Sequence, residues 1–136
     1  MIDFSDLIGK PFDPDGYGPD RYSCYGLAVE VFRRYGIDIP RTNISVCACR
    51  ETSQQEIEAH KEMYWAHVRD FQPFHSTAPV GLLIRSGNPD FADHIATFIG
   101  QGQMIHITVN RSVVVDRVSN WKHKILGAYK YVNHTD

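Results

Sequence analysis

The chain has 136 residues, of which 43% are hydrophobic and 22% charged, and its formal net charge is −2. This size and composition predict one soluble globular domain, residues 1–136, and an odd count of three cysteines argues against a disulfide framework. A charge so close to zero gives no reason to expect nucleic acid as a partner, and no apolar run is long enough to span a membrane.

The N-terminus lacks the basic region and apolar segment of a signal peptide. We therefore expect the protein to be made in a cytoplasm and not to leave it by the ordinary secretory route. No repeats or low-complexity segments occur, and we expect no cofactor.

The first third of the chain places a cysteine where a polar loop becomes a helix. Residues 2–8 predict a short helix, and Asp13 to Pro19 (DPDGYGP) has the glycine and proline content of turns. Ser23 is the expected N-cap of a longer helix that Gly36 ends, so Cys24 falls in its first turn. The apolar stripe of that helix comprises Leu27, Ala28, Val31, Phe32 and Tyr35.

Cys24 has two interpretations. The unpaired backbone N–H groups and the positive dipole end of a helix N-terminus stabilise a thiolate, which is the nucleophilic form of cysteine. On this interpretation Cys24 is a catalytic nucleophile. The alternative is a small buried hydrophobic residue, which is what most intracellular cysteines are.

The centre of the chain contains cysteines and histidines that invite a metal interpretation. The C-x-C at residues 47–49 has no second cysteine pair to complete a four-ligand zinc site, so we expect structural roles and no metal. A capping box at residues 53–56 opens a predicted helix from Gln54 to Arg69. His60 and His67 lack the H-E-x-x-H pattern of metallopeptidases and are expected to be surface or packing residues.

After the proline-containing link at residues 71–79 the pattern changes to short strands. The strand candidates are Val80 to Ile84, His94 to Ile99, Gln103 to Val109, Val113 to Val118 and Ile125 to Val132. Two helices followed by a run of short antiparallel strands predict an α+β fold, with the N-terminal helices packed on a small antiparallel β-sheet.

The first predicted hairpin carries two histidines, and its register decides whether they share a face. A three-residue loop, Gly100 to Gly102, whose last glycine supplies a left-handed conformation, sets a register in which His106 lies opposite Ala96. His94 then lies two residues away on the same face. A loop of two or four residues would place the two histidines on opposite faces.

A strand histidine beside a cysteine at a helix N-terminus is the arrangement of a cysteine hydrolase. His94 would take the thiol proton as general base and return it to the leaving amine. His106 would hold the imidazole in the correct tautomer, as a carboxylate or amide does in other triads. The alternative is that both histidines are polar residues on a half-exposed sheet.

These residues resemble the NlpC family of papain-like cell-wall cysteine peptidases. Four segments carry the resemblance in family order: GPDRYSCYGL at 18–27, the strand at 79–84, DHIATFIG at 93–100 and MIH at 104–106. Residues 112–129 resemble the branch found as tail-tip peptidases of siphophages, prophages and gene transfer agents. The resemblance covers roughly residues 7 to 131.

The resemblance implies a papain-like NlpC-type fold in which Cys24 is the nucleophile, His94 the base and His106 the orienting third member. It implies cleavage of an amide bond in the peptidoglycan stem peptide, commonly between D-glutamate and a diamino acid, with backbone N–H groups near Cys24 meeting the oxyanion. It further implies a phage-type tail as carrier, tail-tip or hub proteins as partners, and action from the virion at the cell wall or periplasm during genome delivery.

The sequence departs from the family pattern at three positions. Ser23 stands where many members have aspartate, Phe12 where tyrosine is common, and Leu82 where aspartate is common. The first two positions bear on substrate and oxyanion binding. Side chains that could contribute there are Ser23, Tyr25, Tyr22 and Tyr17. The departures leave open a structural tail-tip or assembly module with little activity, and a different thiol acyl-transfer enzyme on the same fold is a third hypothesis.

The helix-terminus argument predicts that Cys24 is the most reactive of the three cysteines. Its thiol should titrate well below an unperturbed cysteine and should be alkylated faster than Cys47 or Cys49 in the folded protein. Peptide mass spectrometry after timed alkylation measures the three rates. Equal rates would contradict the assignment of Cys24 as a nucleophile.

Overall fold

A computed structural model describes residues 2–41, 59, 61–85 and 94–132 of the chain. Predictions that fall outside these ranges concern the start of the second helix, His60, Cys47 and Cys49. The described architecture is α+β, as predicted, with the helix α1 (Cys24–Arg34) packed on a six-stranded antiparallel sheet. The strands are β1 (Trp65–His67), β2 (Val80–Ile84), β3 (His94–Gly100), β4 (Gln103–His106), β5 (Val114–Arg117) and β6 (Ile125–Tyr131). Their order across the sheet is β1-β6-β2-β3-β4-β5.

Helix α1 begins and ends where the sequence predicts. Ser23 is its N-cap, and the Ser23 Oγ accepts a hydrogen bond from the Gly26 N–H at 2.9 Å. At the other end Gly36 has a φ of 83°, and the N–H groups of residues 36 and 37 donate to carbonyls of the last helical turn. The side-chain cap at Ser23 and the backbone hydrogen bonds after Tyr35 therefore fix the helix bounds.

The apolar face of α1 packs on strands β3 and β4. Val31 and Phe32 of the helix are fully buried and belong to one core cluster with Ile95 and Ile105 of the two strands. The alternate residues of the same strands, such as Phe98, belong to a second cluster on the other face of the sheet. Each fully buried aliphatic or aromatic side chain contributes roughly 1.5–3 kcal/mol to folding, so this packing holds the helix on those two strands.

The predicted helix at residues 2–8 is wrong, because the segment forms a succession of turns. The Asp3 carboxylate accepts a hydrogen bond from the Ser5 N–H at 2.8 Å, a local bond that competes with helix formation. The Leu7 N–H donates to the Phe4 carbonyl at 2.9 Å, which is the spacing of a turn. Phe4 and Leu7 are nevertheless buried in the core cluster under α1.

The second predicted helix is wrong at its C-terminal end. Residues 59 and 61–64 are helical, but Trp65–His67 form β1, which pairs with β6. The Trp65 ring packs edge-on against Phe32 of α1 at 5.5 Å and against Tyr131 of β6 at 5.8 Å. Packing on the sheet thus overrides the helical periodicity of this stretch. No helix within the described ranges is long and apolar enough to cross a membrane.

The hairpin formed by β3 and β4 has the predicted register, but its loop differs from the predicted one. Thr97 pairs with Ile105, as the sequence predicts. Gly100, however, pairs with Gln103, so the loop has two residues rather than three, and a bulge just before Gly100 absorbs the odd residue. The two loop residues have φ values of 52° and 74°, which this kind of tight turn requires. Without the bulge the two histidines would lie on opposite faces.

We predict that Ser23→Ala lowers the free energy of unfolding by about 1 kcal/mol, the usual cost of losing an N-cap. The substitution removes the acceptor of the Gly26 N–H and the donor to the Gly16 carbonyl. Denaturant unfolding measures the loss, and Ser5→Ala, at an exposed serine, is the matched control. Equal stability of the two variants would contradict the capping role.

Candidate active site

Cys24 is the first residue of α1 and is only 2% exposed. As the residue after the N-cap, it lies among the backbone N–H groups of the first helical turn. It belongs to the same core cluster as Ile95 and Ile105, which are the strand neighbours of His94 and His106. Cys24 therefore packs in the core between α1 and strands β3 and β4.

One carbonyl group ties the loop before Cys24 to the helix. The Gly16 carbonyl accepts hydrogen bonds from the Ser23 N–H at 2.8 Å and from the Ser23 hydroxyl at 3.0 Å. Gly26 lies against the same carbonyl, and a Cβ at this position would collide with its oxygen. The close approach of this carbonyl therefore depends on the cap at Ser23 and on the absence of a side chain at Gly26. Together these two residues fix the position of Cys24.

His94 and His106 form a buried hydrogen-bonded pair. Each is 2% exposed, and His94 Nε2 lies 2.7 Å from His106 Nδ1. His94 is the first residue of β3 and His106 the last of β4, so both stand on regular backbone. The register predicted from the sequence thus brings the two imidazoles into contact.

Two further residues of the candidate site, Asp116 and Trp121, were not predicted from the sequence. His106 Nε2 lies 2.7 Å from Asp116 Oδ2, and the Trp121 indole N–H donates to the same oxygen at 3.2 Å. Because β5 pairs His106 with Val114, strand alternation places Asp116 on the face of the histidines. That alternation is the signal in the sequence, but the connection between β4 and β5 is longer than a hairpin turn, so its length does not set the register.

Burial lowers the pKa of His106 below its ordinary value, although the hydrogen bond and the charge of Asp116 act to raise it. The short contact with a carboxylate alone would suggest a raised pKa. However, the His106 side chain is 1% exposed while that of Asp116 is 35% exposed, so water screens the carboxylate and desolvation of the imidazole dominates. His106 is therefore neutral at physiological pH.

The other candidate side chains have partners within the protein. The Tyr25 hydroxyl donates to a backbone carbonyl at 2.6 Å, and burial raises the pKa of Tyr25. Tyr22 is 3% exposed, and burial raises its pKa too. The Arg41 guanidinium lies 4.6 Å from the centre of the Tyr17 ring, and the Ser23 hydroxyl caps α1. These contacts shape the loop, and a role of any of the four in substrate binding stays a prediction.

An open cleft of about 830 Å³ borders the histidine pair on the side of His106. His106, Asp116 and Trp121 line it, and Arg111 adds a positive charge. This volume is within the usual range for ligand sites. Among the residues that the structure describes, no three histidine, cysteine, aspartate or glutamate side chains are arranged to hold a metal ion.

Comparison with known proteins identifies the family. Residues 9–130 match the model of the NlpC/P60 family, and the chain belongs to this family. The family is typically one of cysteine peptidases, and membership suggests a cell-wall peptidase. The chain matches none of the curated proteins with which it was compared.

Similar solved structures support the papain-like NlpC/P60 fold. NlpC1 from Trichomonas vaginalis has 19% identity and a TM-score of 0.65 over 93% of this chain and 41% of its own. An NLP/P60 family protein described as similar to a lipoprotein, from Staphylococcus aureus, has 16% identity and a TM-score of 0.59 over 94% and 38%. NlpC2 from Trichomonas vaginalis has 16% identity and a TM-score of 0.59 over 93% and 44%. The chain spans less than half the length of each of these structures.

We predict that His106 makes folding stability fall as the pH drops. Because the pKa of His106 is lowered in the folded protein, the unfolded chain takes up a proton first as the pH falls through about 6.5. The free energy of unfolding then falls by at most about 1.4 kcal/mol per pH unit. Above that pH the contribution is fully present. In His106→Gln the loss of stability between neutral and acidic pH should therefore be smaller than in the wild type.

Denaturant unfolding across a pH series measures this difference, and His75→Gln, at an exposed histidine, is the control. A wild type that loses less stability on acidification than His106→Gln would show that the carboxylate, not burial, sets the pKa of His106.

Proposed function

We propose that the protein is a cell-wall peptidase with Cys24 as nucleophile, His94 as general base and His106 as the residue that orients His94. The observation that carries this proposal is the buried 2.7 Å hydrogen bond between the two imidazoles. It joins two strands that pack on the helix beginning at Cys24. Family membership supplies the class of reaction.

The hydrogen bond between His94 and His106 supports one path for the proton on this proposal. The Nε2 of His94 is engaged by His106, so the proton of the Cys24 thiol passes to Nδ1. The thiolate attacks the carbonyl carbon of an amide, and backbone N–H groups at the start of α1 stabilise the oxyanion that forms. His94 returns the proton to the leaving amine, and water then hydrolyses the thioester to release the acid and the free thiol.

The proposed substrate is the peptidoglycan stem peptide, and the proposed bond is the amide between D-glutamate and a diamino acid. The family supports a wall substrate, and the resemblance of residues 112–129 to tail-tip peptidases supports a phage-type tail as carrier. On this proposal the chain is made in the host cytoplasm, joins tail-tip or hub proteins, and opens the wall locally during genome delivery.

A structural tail-tip module with little activity is the second candidate function. Two observations favour it. The Ser23 hydroxyl, at a position where many members have aspartate, is used inside the loop as donor to Gly16 and acceptor from Gly26. Phe12 lacks the hydroxyl of the tyrosine that is common there. Both positions would otherwise offer polar groups to a substrate.

Digestion of purified sacculi separates the two candidates. The wild type should release stem peptides, and mass spectrometry of the products should identify the bond that is cut. Cys24→Ala should abolish the release, because no thioester can form, and His94→Gln should lower it by roughly 10²- to 10⁴-fold, the share that a general base contributes. His75→Gln, at an exposed histidine, should leave it unchanged.

No release from a folded wild type would contradict the peptidase and favour the structural module. Release that survives Cys24→Ala would contradict the assignment of the nucleophile.

A further inference from the structure

A continuous series of hydrogen bonds leads from the border of the cleft to the buried histidine pair. The Trp121 Nε1–H lies 3.2 Å from Asp116 Oδ2, and this oxygen lies 2.7 Å from His106 Nε2. His106 Nδ1 in turn lies 2.7 Å from His94 Nε2. The Trp121 ring also stands edge-on to the His106 ring, with centroids 4.9 Å apart at 87°. We call this series of four residues the relay: Trp121, Asp116, His106 and His94.

The Asp116 carboxylate fixes the direction of the other hydrogen bonds in the relay. An indole N–H can only donate, so Asp116 Oδ2 accepts from Trp121, and an ionised carboxylate has no proton to give. His106 Nε2 must therefore carry the proton of that contact. Because a neutral imidazole has one N–H, His106 Nδ1 is an acceptor and His94 Nε2 is the donor. The single proton of a neutral His94 then lies on Nε2, and its Nδ1 carries a lone pair.

We propose that Asp116 and Trp121 are positioning residues that set the tautomers of both histidines and so keep the basic lone pair on Nδ1 of His94. The catalytic meaning rests on the proposed function, in which this nitrogen takes the proton of Cys24. With the opposite polarity, Nδ1 of His94 would already carry a proton and could not act as the base. The acceptor at Asp116 selects between these two states.

The relay requires a neutral His106. A doubly protonated ring would donate from both nitrogens and would repel the charge that His94 gains when it takes the thiol proton. Burial holds the pKa of His106 below its ordinary value, against the opposing effect of Asp116. The carboxylate is partly exposed beside the cleft, whereas the imidazole between it and His94 is buried.

Nitrogen-15 NMR of the histidine rings tests the relay without any need for activity. The measurement is made on the full chain with Cys24→Ala, in which no thiol can protonate His94. We expect one tautomer at neutral pH, with the proton on Nε2 of both His94 and His106. Adding Asp116→Leu, which removes the acceptor at similar volume, should give His94 a mixture of tautomers, whereas Asp70→Asn, at an exposed aspartate, should change nothing.

A proton on Nδ1 of His94 in the Cys24→Ala chain would overturn the proposal, and so would a doubly protonated His106. A single Nε2–H tautomer that persists in the folded Asp116→Leu variant would overturn it as well. The first two outcomes need no substitution at Asp116, so the proposal stays falsifiable if that variant does not fold.

Kinetics on a soluble stem peptide give the functional part of the test in the otherwise unsubstituted chain. Asp116→Leu, which removes the acceptor at similar volume, should lower kcat by roughly tenfold or more and move KM far less, because it acts through His94 and not on substrate binding. An unchanged kcat would overturn the positioning role. If the wild type cleaves no stem peptide, the proposed function fails, whereas the NMR result still decides the polarity of the relay.

Discussion

The buried hydrogen bond between His94 and His106 is the constraint on which the candidate site depends. A buried imidazole whose nitrogens lack partners would cost about 1–3 kcal/mol for each unsatisfied group, so the two rings can be buried together only if they meet. They meet because the bulge before Gly100 restores an even register across the hairpin. An irregularity of one residue, several positions from the histidines, thus decides whether the site exists.

The cysteine is held by an independent set of contacts. The Gly16 carbonyl receives the N–H and the hydroxyl of Ser23, and Gly26 leaves room for it. Because α1 also packs on β3 and β4, the helix that begins at Cys24 and the hairpin that carries the histidines share one core. A site on such elements is organised before a substrate arrives, which is what electrostatic stabilisation of a transition state requires.

Short-range signals in the sequence predicted the bounds of α1 and the register of the hairpin that carries the histidines. The caps at Ser23 and Gly36 are short-range signals and fixed α1, and a glycine near the hairpin loop pointed to the register that the structure has. The loop length was wrong because periodicity does not reveal a bulge, and the second helix was extended too far because only tertiary packing shows that Trp65 belongs to the sheet. Asp116 was missed because its place depends on the register of β5, and the connection that leads into this strand is longer than a hairpin turn.

The most direct measurement of the central claim is to trap the covalent intermediate. The protein is mixed with an excess of stem peptide, quenched in acid within the first turnovers and analysed by peptide mass spectrometry. We expect the acyl half of the substrate to be attached to Cys24 as a thioester, and this adduct to be absent in Cys24→Ala. Two results would contradict the assignment of Cys24 as the nucleophile. One is an acyl group on another residue, and the other is cleavage without an adduct when hydrolysis of the intermediate limits the rate.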